Sequence, residues 1–444
     1  MKKLFFAICM FILLLGFFAV VIRSFTRLVI IKKLGINNAI TDAIFWDVPE
    51  LTNSGSGIVD SSINIDWSVL YPFHEDRSPI NVEKKVIDKT LMIINGIKDG
   101  VEKYTSDYLI CYRRITELAQ KYKSFVRWNY TPYSEYNGLI RTPDGYYTTI
   151  VEKKDMKACA DQTVSFSDYC TNKGIKFLYV NTPVKLCKFY DNRISGISDF
   201  NNQNADSFLS LLDSQGITWL DLRTELHEDG FEHHSLFFKT DHHWRPETGL
   251  WAAERITTRL KDLYGLEIDS SILNPDYFTY ETYPKWFLGS QGKKVTLANA
   301  EPEDFSLIYP KYPTLFSYEV KSKNIAVEGD FEVFYDMDQI SNCDYYNLNP
   351  YTTYMYGDQA LERIENKQIY NGLRVLIIRD SFSSCVLPFL ALSFQYIDAI
   401  DLRHFNGSLK RFIEIEKPDV VIVIYNSNIL QGPSIVDDGV FDFR

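Results

Sequence analysis

The sequence has no CxxC pair and no Cys/His spacing that would frame a zinc site. Cys9 sits in an apolar run. The others, Cys111, Cys159, Cys170, Cys187, Cys343 and Cys385, are an even set that permits disulfides, yet their spread suits separate buried thiols equally well. A basic excess is also missing. Lys and Arg total 47 against 58 Asp and Glu, a net charge of -11. A general nucleic-acid binder needs a basic face to meet phosphates, so that class is excluded. Internal repeats and low-complexity linkers are absent too, which removes solenoids and tethered arrays. No residue pattern calls for a metal or cofactor.

What is present begins with Leu4 to Ile22, LFFAICMFILLLGFFAVVI, a run without charge. As a helix it spans about 28 Å, close to the hydrocarbon thickness of a bilayer. Lys2 and Lys3 precede it, Arg23 follows it, and no small-x-small cleavage site is found. The expectation is an uncleaved signal anchor over residues 1–23, holding the rest of the chain outside the cytoplasm. Basic residues beyond the span (Arg23, Arg27, Lys32, Lys33) weigh the other way on orientation. Hydrophobic residues make up 45% of the chain, enough for a sizeable core, and aromatics 15%, which suits cores and sugar stacking alike.

Residues 24–137 read as a mixed region with a helical pattern from Val82 to about Lys123. Beyond a Pro143-Asp144-Gly145 turn, short apolar strands alternate with helices over residues 138–430, ahead of a tail at 431–444. Strands are expected at Ile175–Asn181, Ile217–Asp221, Arg374–Arg379, Tyr396–Ile400 and Asp419–Tyr425. Helices are expected near 160–173, 204–214, 246–260, 383–393 and 407–416. Continuous apolar strands such as VLII and VVIVI suit a parallel sheet covered on both faces. The expectation is therefore an α/β domain with a doubly wound parallel sheet. A Tyr/Pro-rich stretch at about 262–372, containing WFLGSQGKK, reads as an insertion with β-structure.

Three places carry chemistry. KTDHHWRPETG (Lys239 to Gly249) puts Asp241, His242 and His243 in a loop just before a helix opened by Pro246. A carboxylate that accepts from one ring N–H leaves the other nitrogen free as a base. RVLIIRDSFSSCVLPFL (Arg374 to Leu390) runs a strand into Asp380-Ser381-Phe382 and then a helix, which is where a nucleophile stands at a sheet edge. PDVVIVIYNSNIL (Pro418 to Leu430) ends a strand at Asn426 and Asn428, where an amide can donate to an oxyanion. Each also has a plain reading: a helix-entry loop, an N-cap serine, a turn asparagine.

Together these residues resemble the SGNH hydrolase superfamily. Ser381 within RDSF matches its nucleophile block, and Asn428 within NSNI falls on the asparagine of its GxND block. The Asp–His pair, here Asp-x-His, precedes the serine, a permuted order similar to the alginate O-acetyltransferase-like (AlgJ/AlgX) branch. The string Asp241-His242-His243-Trp244 is similar to that of the DHHW family. Arg379, Asn426 and Ile429 depart from the block pattern, and Gly407 is the one candidate for the second-block glycine. The resemblance implies a triad of Ser381, His243 and Asp241, with Asn428 at the oxyanion and His242, Trp244, Asp380 and Asn426 supporting. It implies an extracytoplasmic acyl (acetyl) transferase or esterase. Its partners would be a polysaccharide or glycan substrate, the membrane through the N-terminal helix, and a membrane-bound acyl donor. Two alternatives stand beside it: a non-catalytic polysaccharide-binding or assembly protein with a degenerate site, and a DHH-type metal phosphoesterase. The latter needs a D-x-D on an earlier strand, where this chain has Tyr179-Val180-Asn181-Thr182-Pro183.

Overall fold

The computed structural model describes residues 139–142, 144–190, 198–427 and 440–443. The apolar run Leu4–Ile22, the helical pattern from Val82, Cys111 and Asn428 lie outside them. No helix among the described residues is long and apolar enough to cross a membrane. The described cysteines, Cys159, Cys170, Cys187, Cys343 and Cys385, are free thiols.

A hairpin of β1 (Leu139–Arg141) and β2 (Tyr147–Thr149) opens the domain. Its turn needs Gly145, whose φ of +93° side-chain-bearing residues rarely adopt. Then come α1 (Lys157–Asn172), β3 (Lys176–Thr182), α2 (Asn201–Ser214), β4 (Trp219–Asp221) and α3 (Leu222–Glu228). Helix α4 (Pro246–Tyr264) starts on its proline and stops at Gly265, which takes the left-handed φ of 60°. Leu250, Ala253, Ile256 and Leu260 form its buried stripe, spaced by three and four residues.

The following stretch holds β5 (Phe278–Phe287), α5 (Ser290–Val295), β6 (Glu303–Pro310), β7 (Phe316–Val320), β8 (Ile325–Gly329) and β9 (Leu361–Asn366). The chain ends with β10 (Arg374–Arg379), α6 (Leu387–Leu390), β11 (Tyr396–Ile400), α7 (Leu409–Glu416) and β12 (Val420–Asn426).

Eight strands form the main sheet in the order β4-β3-β12-β10-β11-β9-β7-β8. From β4 to β11 every pairing is parallel. From β11 onward β9, β7 and β8 pair antiparallel. The sheet is thus mixed, and the expectation of a parallel one is corrected. The physical cause is the stretch 262–372, whose β7, β8 and β9 extend the sheet edge in antiparallel pairings. Phe316, Tyr318 and Val320 of β7 and Glu362, Ile364 and Asn366 of β9 are buried while the residues between them are half-buried, the alternation of half-covered antiparallel strands. β5 and β6 pair apart from the main sheet.

Side chains of the parallel strands part to two faces by their period of two. Leu178, Val180, Val375, Ile377, Ile422 and Ile424 pack with α4. Phe177, Tyr179, Leu376, Ile378, Val421 and Val423 pack with α1, α2 and α7 on the other side. One helix expectation fails. Residues 383–393 do not form a continuous helix; a 3-10 turn (Ser381–Cys385) passes into the four-residue α6. Pro388 lacks the N–H needed to carry hydrogen bonding from the turn into the helix.

Candidate active site

The DHHW loop is closed at its base. Phe237 and Trp244 form a β-bridge, and Arg245 N donates to Leu236 O at 2.8 Å. Glu303, at the start of β6, fixes the loop's near side. It accepts from Lys239 N (2.8 Å), Thr240 N (2.7 Å) and Thr240 Oγ1 (2.7 Å). Gly292 N donates to Thr240 O at 2.7 Å from α5. The loop therefore has little freedom at Asp241.

Asp241 is buried, and its two oxygens are divided between two tasks. Oδ1 lies 2.6 Å from His243 Nδ1 and accepts His243 N at 3.0 Å; Oδ2 accepts Ser290 N at 2.6 Å. Burial opposes its charge, but His242, His243 and the Ser290 N–H outweigh that and hold the carboxyl well below its usual range. A Cβ at Gly289, the cap of α5, would overlap Asp241 Cβ and lie 2.6 Å from Thr240 O, so only glycine lets the chain pass here. His243 Nε2 lies 2.8 Å from Ser381 Oγ, across 138 residues of sequence. Ser381, His243 and Asp241 thus form one continuous hydrogen-bonded line. Ser381 keeps partial exposure, so a substrate can reach it.

The serine turn is shaped by Asp380. Its Oδ1 accepts Phe382 N at 2.9 Å and its Oδ2 accepts Asn426 N at 2.6 Å, tying the end of β10 to the end of β12. Burial pushes its carboxyl up to about 6, against those two N–H groups. Asn426 is spent in this way too: its amide donates to Thr182 Oγ1 (2.9 Å) and Pro183 O (2.7 Å). It braces strands and does not face the serine with a free amide. Arg379 stands where the block has glycine, and is wholly buried. Its guanidinium reaches Glu362 (2.7 Å), Gly357 O (2.9 Å) and Ser384 Oγ (3.2 Å). A residue too large for the usual turn thus becomes the tie between that turn and β9.

Around the line, Trp244 Nε1 donates to Phe382 O at 2.9 Å, locking the DHHW loop to the serine turn. His242 is partly exposed, with Nδ1 3.2 Å from Ser290 Oγ. Desolvation by the packed loop and the neighbouring His243 lower the pKa of its imidazole, although part of the ring reaches solvent. Gly407 lies in the loop between β11 and α7 against the Phe405 ring. Asn428 lies outside the described residues.

Asp241, His242 and His243 have donor atoms within 4.8 Å of one another, the distance range of a metal cluster. Their hydrogen bonds argue against that use, because both His243 nitrogens and both Asp241 oxygens are already engaged. The other histidines near in sequence are also committed. His233 Nε2 lies 2.7 Å from Val184 O and His234 pairs with Asp144.

Two family models match the chain. One, described as an SGNH hydrolase-like domain, acetyltransferase AlgX, matches residues 143–279; the other, for DHHW proteins, matches residues 225–400. The chain is similar to DHHW proteins. Both matches contain the DHHW loop, and the second also contains Ser381. Among solved structures, Bacillus cereus PatB1 with a sulfonyl adduct is similar at a TM-score of 0.57 and 19% identity, covering 69% of this chain and 99% of PatB1. A DHHW family protein from Eubacterium siraeum is similar at 0.54 and 17%, covering 69% and 96%. At these identities the likeness is one of fold, and this DHHW-like chain has the SGNH-like α/β fold with a mixed sheet. No curated protein matches it.

Sequence reasoning missed several residues around the site of this DHHW-like protein. Glu303, Ser290 and Tyr351 all come from the stretch 262–372, and only the Gly289-Ser290 pair in WFLGSQGKK hinted at a close approach. Lys185, buried, donates to Tyr147 O (2.6 Å), Lys239 O (3.2 Å) and Gln291 Oε1 (2.8 Å). Burial pulls it down to about 7, against Asp241 and Glu303.

Proposed function

We propose that the protein is a serine-dependent acyl transferase or esterase whose substrate is an acetyl ester on a polysaccharide outside the cytoplasm. The line Ser381–His243–Asp241, with contacts of 2.8 and 2.6 Å, carries this reading. Ser381 Oγ attacks the ester carbonyl and His243 Nε2 takes its proton, while the carbonyl electrons move onto oxygen. Asp241 holds the imidazole and balances its charge. The tetrahedral intermediate collapses, the bond to the alcohol oxygen breaks, and His243 returns the proton to that oxygen. Water or a sugar hydroxyl then repeats the sequence in reverse on the acyl-enzyme. Asn428 and backbone N–H groups near Ser381 are the proposed oxyanion donors.

The glycan, the acetyl group and the location come from the family resemblance and from the apolar run Leu4–Ile22, with a membrane-bound acyl donor as the proposed partner. The match to a model described by an acetyltransferase supports the class of reaction. The test is labelling of the full chain with a fluorophosphonate or sulfonyl fluoride, mapped by peptide mass, beside acetyl release from p-nitrophenyl acetate and an acetylated oligosaccharide. Label on Ser381 and a loss of about 10⁴-fold in turnover for Ser381→Ala are expected. Turnover that survives Ser381→Ala refutes the reading.

A further inference from the structure

We propose that Tyr351 is a positioning residue for this acyl transfer, its ring face stabilising the imidazolium that His243 becomes when it takes the serine proton. The inference rests on the acyl-transfer reading above. It starts from a close, nearly parallel stack of two rings. The Tyr351 and His243 rings lie 3.9 Å apart at their centroids and only 11° from parallel. Two neutral aromatic rings prefer an offset or edge-to-face arrangement, because their faces are alike in charge. A cation over a ring face is attracted to it. A ring face this close to the imidazole is within cation–π reach, and it favours the protonated state of His243.

Other groups around His243 leave this face to Tyr351. The ring's edges are taken by Asp241 at Nδ1 and Ser381 at Nε2. His242 lies 3.7 Å away at a 38° tilt, and Phe382 5.0 Å away at 52°. The charged groups nearby are Asp241 on the same loop, Lys185 after β3, and Asp358 before β9. None of these stacks on the imidazole.

Tyr351 is itself held firmly. It lies buried in the 3-10 turn Pro350–Thr353, and its hydroxyl reaches Cys385 Sγ at 3.3 Å and Phe382 O at 3.4 Å. Both partners belong to the turn that carries Ser381. The ring over the base and the nucleophile are therefore moored to one piece of backbone. Burial pushes the phenol well above its ordinary value, so the ring stays uncharged at working pH.

The experiment compares Tyr351→Phe with Tyr351→Leu in the full chain. Both remove the hydroxyl bonds, and only the second removes the aromatic face. Each is assayed for the second-order rate of fluorophosphonate labelling at Ser381 and for kcat and KM on p-nitrophenyl acetate. Tyr351→Leu is expected to lose about tenfold in labelling rate and in kcat, with KM unchanged, and Tyr351→Phe to restore most of that loss. Tyr351→Met serves as the non-aromatic variant if the leucine protein does not fold, as judged by circular dichroism. Equal rates for the aromatic and non-aromatic variants overturn the inference, as does a fall in KM-dependent binding alone. A wild-type Ser381 that takes no label overturns the acyl-transfer reading itself, an outcome distinct from failure at Tyr351.

Discussion

The two halves of the main sheet are built on different principles. From β4 to β11 the strands are parallel, and β10 and β12 are buried almost throughout. Beyond β11, β9 and β7 alternate between buried and half-buried positions, and β8 is mostly exposed. The parallel half ends in the turn that presents Ser381, as a sheet covered on both faces presents its functional groups at the carboxyl ends of strands. The stretch 262–372 contributes walls and braces instead: Glu303 on the DHHW loop, Ser290 on Asp241, Tyr351 on His243. The scaffold of Ser381 is rigid by burial, whereas its surroundings are fixed by contacts that cross to it from the stretch 262–372.

Arg379→Met probes that crossing most severely. Burial works against the charge of Arg379, yet Glu362, Asp358 and Asp401 hold it protonated. Removing it leaves Glu362 buried without its main partner, and chemical denaturation should show a loss of about 3–5 kcal/mol. If the variant unfolds at the wild-type midpoint, the two halves are not joined through this pair.

Ile377→Ala and Val327→Ala weigh the halves directly. Ile377 in β10 is wholly buried, and its truncation should cost about 2–5 kcal/mol. Val327 in β8 is 41% exposed, and its truncation should stay within about 0.5 kcal/mol. Comparable losses at the two positions would show that β8 is covered in the working protein.

Gly289→Ala addresses the seam between the DHHW loop and α5. The new methyl meets Asp241 Cβ and Thr240 O, both in a pinned loop, so a cost of about 1–3 kcal/mol is expected. Displacement of Asp241 should also slow labelling at Ser381. A variant with full stability and full labelling would mean that the loop yields freely.

The smallest effect is a slope. Lys185 joins β2, the DHHW loop and α5, and its pKa in the fold, about 7, lies below the ordinary lysine value. Between pH 7 and about 10.4 the unfolded chain holds a proton that the folded one has released, so stability rises with pH over that window. Wild type should therefore gain on Lys185→Met as pH increases from 7 in paired denaturation curves. Parallel curves for the two proteins would contradict the downward shift.

Much of the parallel half was legible because its signals are local. Strands Arg374–Arg379 and Tyr396–Ile400 fall where their apolar runs predict. Helix α4 begins at Pro246 as its sequence indicates, then runs four residues past 260 to its left-handed stop at Gly265. The alternation in FSYEV and LERIEN carries the antiparallel strands, but such short half-buried patterns stand out little in an aromatic-rich stretch. The broken helix after Ser381 was hidden for a related reason: SFSSCVLPFL is apolar enough to read as helix, and only the capping by Asp380 and the place of Pro388 divide it.

By itself, the sequence determined the layered α/β arrangement of the core, since burial of both sheet faces is written in continuous apolar strands. It also determined that Asp241 and His243 share one loop and that Ser381 stands on a strand-to-helix turn, because spacing along the chain is enough for both. Tertiary structure alone decided that these groups meet at 2.8 Å, that Arg379 serves as a brace, and that Tyr351 covers the imidazole. Contacts between residues far apart in the chain depend on how strands are ordered in the sheet, and that order is set by packing across the whole domain, not by any local pattern.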